Sequence, residues 1–455
     1  MRLQPVLLPL AIVLGVLAMA LLALARYAGI PLQGIPQAPA VGAGLAAKLA
    51  CSGRFLSGYD EARIAADIID YSPALQLVSL DFSAPDRVSA SLLGTTATAR
   101  YYPGLGCTLD APGMPSLAAI RIPALPVAST LPLAAAGDTA LQVALEEILQ
   151  QDNDQGLQTR ALLIARSGAI VAEAYAEGVS PEAQLLGWSM GKSLTGLMIG
   201  RLAALGQLRL EERRLFPQWE RDARSEVSIE DLLQMRSGLA FSETYLPGND
   251  STRMLFTAAS AAAVALDKPL AYPPGEHFAY SSGTTNILCH LLGQRLGGPQ
   301  ALVDFFAREV AVPLGLQDTT LELDPSGDCV GSSYVYASAR DWARMAQPLI
   351  HAGRVGEQQW LPAGWVERAT APNGSDNDSR YGYQLWLNRG AGAAYWPGLP
   401  ASAFAMSGHS GQVVMMLPTL DAVIVRLGWS SGEYPVDQRF APLLDYLHEP
   451  AAVFP

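Results

Sequence analysis

Apolar residues in this chain fall into short blocks of contrasting period, and the blocks predict strands at both ends of a helical middle. Arg160 to Ile164 and Ala169 to Tyr175 are strand-like runs joined by a turn at Arg166-Ser167-Gly168, which predicts a hairpin. Val413 to Leu417 and Val423 to Leu427 flank Pro418-Thr419-Leu420-Asp421 and predict a second hairpin. Between them the period changes. Leu194, Leu197, Met198 and Leu202 recur at helical spacing with Gly206 as a stop, and Ile287 to Leu292 mark a further apolar helix. Antiparallel strands around a helix-rich middle predict an α+β fold, an α/β sandwich of an antiparallel sheet flanked by helices plus a helical region.

The first apolar block is different in kind. Arg2 precedes a nearly unbroken run from Pro5 to Ala25, long enough to span a bilayer and followed by Arg26. Residues 1–27 therefore read as an N-terminal membrane anchor, or as a signal peptide cleaved after Ala23-Leu24-Ala25; the length of the run favours the anchor. Either predicts export to the periplasmic side of an inner membrane. Residues 28–44, with prolines at 31, 36 and 39, read as a linker. An accessory region over 45–135 holds Cys51, a strand-like run from Arg87 to Leu93, and Cys107, and the catalytic domain is expected over 136–450. Export to an oxidising compartment, and the position of both cysteines in one poorly helical segment, predict a Cys51–Cys107 disulfide. Closing a loop of that length stabilises by about 4 kcal/mol in the chain-entropy model.

Composition narrows the chemistry. With 455 residues, half of them apolar, the chain can fill a large core, and a net charge of −12 argues against nucleic-acid binding. Five histidines and four cysteines show no Cys-x-x-Cys or His-x-x-x-His spacing, and no phosphate-binding glycine loop is present, so neither metal nor cofactor is expected.

Lysine is scarce: only Lys48, Lys192 and Lys268 occur. Lys192 follows a serine by three residues in Gly187-Trp188-Ser189-Met190-Gly191-Lys192-Ser193. Arginine keeps its proton in a protein, whereas a buried lysine can lose it and act as a base. Residues i and i+3 share a helix face, so the Lys192 amine can reach the Ser189 hydroxyl at a helix N-terminus, where developing negative charge is favoured. The same residues also spell G-x-S-x-G, the elbow of α/β-hydrolases, in which a histidine is the base and the sheet is mostly parallel. Both patterns select Ser189. A bare four-residue match on a solvated helix face is the alternative to both.

Two further motifs follow in order. Pro273-Pro274-Gly275-Glu276-His277-Phe278-Ala279-Tyr280-Ser281-Ser282 displays Tyr280 just before a helix start, and Gly408-His409-Ser410-Gly411-Gln412 is expected to open the penultimate strand. With this series of motifs the chain resembles the serine β-lactamase and penicillin-binding-protein superfamily over about 290 residues, from Arg160 to Leu447. Tyr280-Ser281-Ser282, Gln384-Leu385-Trp386 and His409-Ser410-Gly411-Gln412 are most similar to its class C-related branch, which contains esterases and 6-aminohexanoate-dimer hydrolases.

The resemblance implies an acyl-enzyme on Ser189, with Lys192 as its base and Tyr280, its pKa held down by Lys192, as proton relay. It implies an oxyanion hole from the backbone N–H groups of Ser189 and Gln412, and a pocket that includes Ser282, Trp386, His409, Ser410 and Gly411. Ser282 stands where β-lactamases place an asparagine, and His409, largely neutral at pH 7, where they place a carboxylate-binding lysine. The expected partner is thus a small-molecule ester or amide without an obligatory carboxylate. A peptidoglycan peptidase or β-lactamase is the alternative enzyme, and a non-catalytic module on the same fold the alternative to an enzyme.

Overall fold

A computed structural model describes residues 31–124, 126 and 138–448 of the protein. The expected linker over 28–44 is not an extended spacer: Leu32–Gln37 form a short 3-10 helix that runs directly into α1 (Ala38–Phe55). Proline is tolerated in the first turn of a helix, where an N–H has no intrahelical acceptor, so Pro39 marks a helix start. Every residue from Val41 to Ser52 is buried. α2 (Glu61–Tyr71), capped by Asp60, lies beside α1, and the chain then forms β1 (Ser79–Asp81), β2 (Arg87–Leu92), β3 (Thr95–Tyr102) and β4 (Gly106–Leu109). These four strands pair antiparallel in sequence order, and α1 packs both on them and on the helix Asp250–Phe256. Cys51 is therefore helical, contrary to the poorly helical segment expected; it is bonded to Cys107 on β4.

A buried ion pair stitches this N-terminal unit to the rest of the chain. Lys48 on α1 bonds to Glu322, which also accepts from the Ser52 hydroxyl at 2.8 Å and the Cys107 N–H at 2.6 Å. Burial pushes the Lys48 amine down and the Glu322 carboxyl up, and their mutual attraction opposes both shifts.

After α3 (Thr139–Asp154) the chain builds β5 (Thr159–Arg166) and β6 (Ala169–Tyr175), and much later β7 (Trp386–Leu387), β8 (Phe404–Gly408), β9 (Gln412–Leu417) and β10 (Ala422–Gly428). The sheet order is β7-β8-β9-β10-β5-β6, and every neighbouring pair is antiparallel. A doubly wound parallel sheet, the setting of an α/β-hydrolase elbow, is thus replaced by a sheet that joins the two ends of the sequence. Successive residues face opposite sides: Leu162, Ile164, Val413, Met415 and Ile424 pack toward α3, whereas Leu163, Val414, Met416, Val423 and Val425 face the main core. Cover on both faces explains why these strands read as unbroken apolar runs. The main core is roofed by α4 (Gly191–Ala204), α5 (Ser282–Leu296) and α6 (Ala339–Ile350), with α6 lying on β5, β9 and β10.

The segment expected to open the penultimate strand is instead a turn. His409–Gly411 form a 3-10 connection in which Ser410 has φ 60°, a left-handed conformation incompatible with a strand, and β9 begins only at Gln412. Among the described residues no helix is long and apolar enough to cross a membrane; the run at 5–25 lies outside them, as does the expected domain boundary at 135/136.

Removing one partner of a buried pair strands the other charge, so Lys48→Met should cost about 3–5 kcal/mol in urea unfolding at pH 7. Lys48→Met combined with Glu322→Gln should recover much of that loss. A single variant within about 1 kcal/mol of the wild type would show that the pair is not needed to hold the unit in place.

Candidate active site

The motif around Ser189 is built by close backbone approach. Trp188–Met190 form one 3-10 turn that leads into α4, so Ser189 lies at the helix entrance and Lys192 one turn further on. Trp188 has φ 48°, a strained conformation for a bulky residue. Gly191 allows the 331–332 segment to approach: a Cβ there would lie 2.6 Å from the Gly331 carbonyl oxygen. Opposite, a Cβ on Gly408 would lie 2.2 Å from the Gly187 carbonyl oxygen and 3.3 Å from the Ser189 nitrogen, so only glycine lets the end of β8 lie against the serine. Gln412 pairs with Gly408 across the turn, which brings the first residue of β9 to the same place. Its side chain is turned away and bonded to both the N–H and the carbonyl of Gly428.

Lys192 is fully enclosed. Its Nζ donates to Ser189 Oγ at 2.8 Å, Ser282 Oγ at 3.0 Å and the Ser332 carbonyl at 3.0 Å, and it lies 4.9 Å from the centre of the Tyr280 ring. Burial among these neutral partners lowers its pKa to about 8, with the charge of Glu243 opposing the shift. The amine is therefore poised to exchange a proton with Ser189 near neutral pH.

Tyr280 stands immediately before α5, whose cap is Ser281. Its ring stacks on Trp386 at 5.1 Å, and its hydroxyl is near enough to Ser189 for the serine to act on its pKa. The expectation that Lys192 would hold its pKa down is not met. Burial raises it above the ordinary tyrosine value and the charge of Glu243 raises it further, only partly offset by neighbouring Ser189. Tyr280 thus keeps its proton at neutral pH and suits donation more than abstraction.

Ser282, expected in the substrate pocket, is instead fully buried beneath Lys192. It donates to Glu243 Oε1 at 2.5 Å while its N–H donates to Oε2 at 2.7 Å, and the Tyr245 hydroxyl bonds to the same carboxylate at 2.9 Å. Glu243 and Tyr245 belong to this site and were missed in the sequence. They follow the Ser237-Gly238-Leu239 turn, and nothing in their spacing shows that the loop folds back onto α5. Trp386, His409, Ser410 and Gly411 do meet, lining a cleft of about 440 Å³ with Trp396 and Glu433. Surrounding protein lowers the pKa of His409 although its side chain keeps an exposed edge, so it is neutral at pH 7. No residue lining the cleft carries a positive charge. Ser189 bonds to Lys192, whereas His409 meets the rings of Tyr71 and Trp188.

Residues 145–445 match the protein family described as Beta-lactamase. The 6-aminohexanoate-dimer hydrolase of Paenarthrobacter ureafaciens is 24% identical over 287 residues, which cover 59% of this chain and 72% of that enzyme. Among solved structures, EstCE1, a hydrolase with promiscuous acyltransferase activity, superposes with a TM-score of 0.55 at 17% identity, covering 69% of this chain and 99% of its own. A penicillin-binding protein from Bacillus halodurans gives 0.51 at 16% identity, covering 67% and 99%. At these identities the structural likeness establishes the fold.

The sign of the Glu243 effect can be tested by pH. With Lys192 acting as a base, kcat/KM for an ester should rise with pH through about 8 as the amine loses its proton. Glu243 favours the charged amine, so Glu243→Gln should move this limb to lower pH. A limb that stays in place or moves upward would assign it to another group.

Proposed function

Because the chain belongs to the β-lactamase family, we propose that it hydrolyses esters or linear amides through an acyl-enzyme on Ser189. One observation carries this reading: the Lys192 amine lies 2.8 Å from Ser189 Oγ, and its hydrogen-bond partners are two hydroxyls and a carbonyl rather than a carboxylate. The neutral amine takes the serine proton as Oγ attacks the carbonyl carbon. Negative charge on the carbonyl oxygen then gathers at the helix entrance, where the N–H groups of Ser189 and Gln412 are its assigned donors. Tyr280, still protonated, passes its proton to the departing alcohol or amine, and the proton that Lys192 took from Ser189 makes good that loss. A water molecule hydrolyses the acyl-enzyme by the same transfers in reverse.

The substrate class follows from charge. A cleft that holds neutral His409 and exposed Glu433 gives no cation to a substrate carboxylate, which favours uncharged esters and amides over penicillins and peptidoglycan stems. The relative named for 6-aminohexanoate dimer supports amide cleavage as one candidate reaction, although that dimer carries a free carboxylate and so does not bear on the preference for uncharged substrates. Location outside the reducing cytosol belongs to the same proposal and is supported by the Cys51–Cys107 bond.

Ser189→Ala should abolish turnover of acyl esters by at least about a thousandfold and remove labelling by a fluorophosphonate. Lys192→Arg should do the same, since a guanidinium keeps its proton and the enclosed site has no room for it. Near-wild-type turnover of Lys192→Arg would end the lysine mechanism. His409→Lys should raise kcat/KM for carboxylate-bearing substrates over neutral esters roughly ten- to a hundredfold, the equivalent of a charge-assisted hydrogen bond of about 1.5–3 kcal/mol. An unchanged preference would place His409 away from that part of the substrate.

A further inference from the structure

His409, which lines the cleft beside Ser189, is met on one side by a residue that the matched family region does not supply. That region begins at residue 145. Tyr71, the last residue of α2, nevertheless stacks on Trp188 with ring centres 5.6 Å apart and meets His409 edge to face at 5.4 Å; Trp188 and His409 meet at 5.6 Å. Trp188 directly precedes the nucleophile, and His409 lines the cleft. His409 is exposed, Tyr71 half-buried and Trp188 buried, so the three rings run from the core out to the open edge of the site.

Three contacts hold α2 to the catalytic sheet within about a turn of Tyr71. Arg160 Nη2 on β5 donates to the Asp67 carboxylate at 2.5 Å, Trp429 Nε1 just beyond β10 donates to the Asp67 carbonyl at 2.9 Å, and the Gln158 amide donates to Asp70 at 2.7 Å. The ring position is therefore set by the sheet that also positions His409, and α2 behaves as part of the site's frame.

Resting on the ester or amide hydrolase reading of Ser189, we propose that Tyr71 is a specificity-determining residue. It closes the His409 side of the cleft and limits the size of an uncharged, apolar substituent carried there by the substrate. The chemistry of the three rings supports this class. Burial raises the Tyr71 phenol to about 12 and lowers His409, so the wall carries no charge at working pH and recognises its ligand by surface contact.

The test uses the full chain with two substrate series, p-nitrophenyl esters of lengthening acyl group and acetate esters of lengthening alcohol, which separate the two sides of the scissile bond. Rates are normalised to folded enzyme by fluorophosphonate titration. Tyr71→Phe should keep the wild-type length profile. Tyr71→Ala should raise kcat/KM for long over short substrates in one series by at least about tenfold, the scale on which a pocket discriminates a methylene or two. Tyr71→Trp, which keeps the aromatic packing should the alanine variant not fold, should shift the same series toward shorter chains. A uniform loss across all lengths, or an unchanged length ratio in both series, would reduce Tyr71 to a brace for Trp188 and overturn the proposal. Activity retained by Ser189→Ala would instead overturn the underlying hydrolase reading.

Discussion

Burial of one amine without a carboxylate in contact is the constraint on which the site depends. Lysine is costly to enclose, and the chain encloses two of its three lysines in opposite ways. Lys48 meets Glu322 directly and lies 4.2 Å from the centre of the Tyr334 ring, so its proton is shared within a closed pair that joins two parts of the fold. Lys192 meets two hydroxyls and a carbonyl, and the one anion that acts on it, Glu243, reaches it through Ser282. The same desolvation that makes the first pair a fastening leaves the second amine near the pH at which it can change protonation state.

That environment needs contributions from distant parts of the chain. The turn Trp188–Met190 carries Ser189 and α4 carries Lys192, α5 carries Ser282, the 331–332 segment supplies a carbonyl, and the loop after Leu239 supplies Glu243. Glycines at 191 and 408 let backbone approach where a side chain would intervene. The Tyr280 ring is held between Trp386 and the Lys192 amine, while burial keeps its hydroxyl protonated. In the proposed mechanism, a lysine near its titration point beside a protonated tyrosine divides abstraction and donation between two groups.

The N-terminal unit is integrated into this frame. α1 is buried along two-thirds of its length between its own four strands and the helix Asp250–Phe256, and α2 is tied to β5 and to Trp429. A disulfide, a buried ion pair and a partly buried Arg160–Asp67 pair cross-link regions that are far apart in sequence. Those ties hold Tyr71 against Trp188 and His409.

Local pattern determined much of this protein by itself. The two hairpins, the helices after Ser189 and Ser281, and the Ser189–Lys192 pairing were legible because each depends on periodicity, a turn, or an i, i+3 spacing within a few residues. Lysine scarcity singled out Lys192 for the same reason: it is visible in composition alone. Tertiary structure decided the rest. Prolines at 36 and 39 are compatible with a spacer or a helix start, and only packing against β2 to β4 selected the helix. Ser282 left the pocket because Glu243 and Lys192 met it in the core, and the Tyr280 pKa rose because burial outweighed the effect of neighbouring Ser189. Glu243 and Tyr71 carry no spacing signal toward Ser189. Their roles depend on which surfaces the fold brings together, and proximity across tens to hundreds of residues is a property of packing that local pattern does not encode.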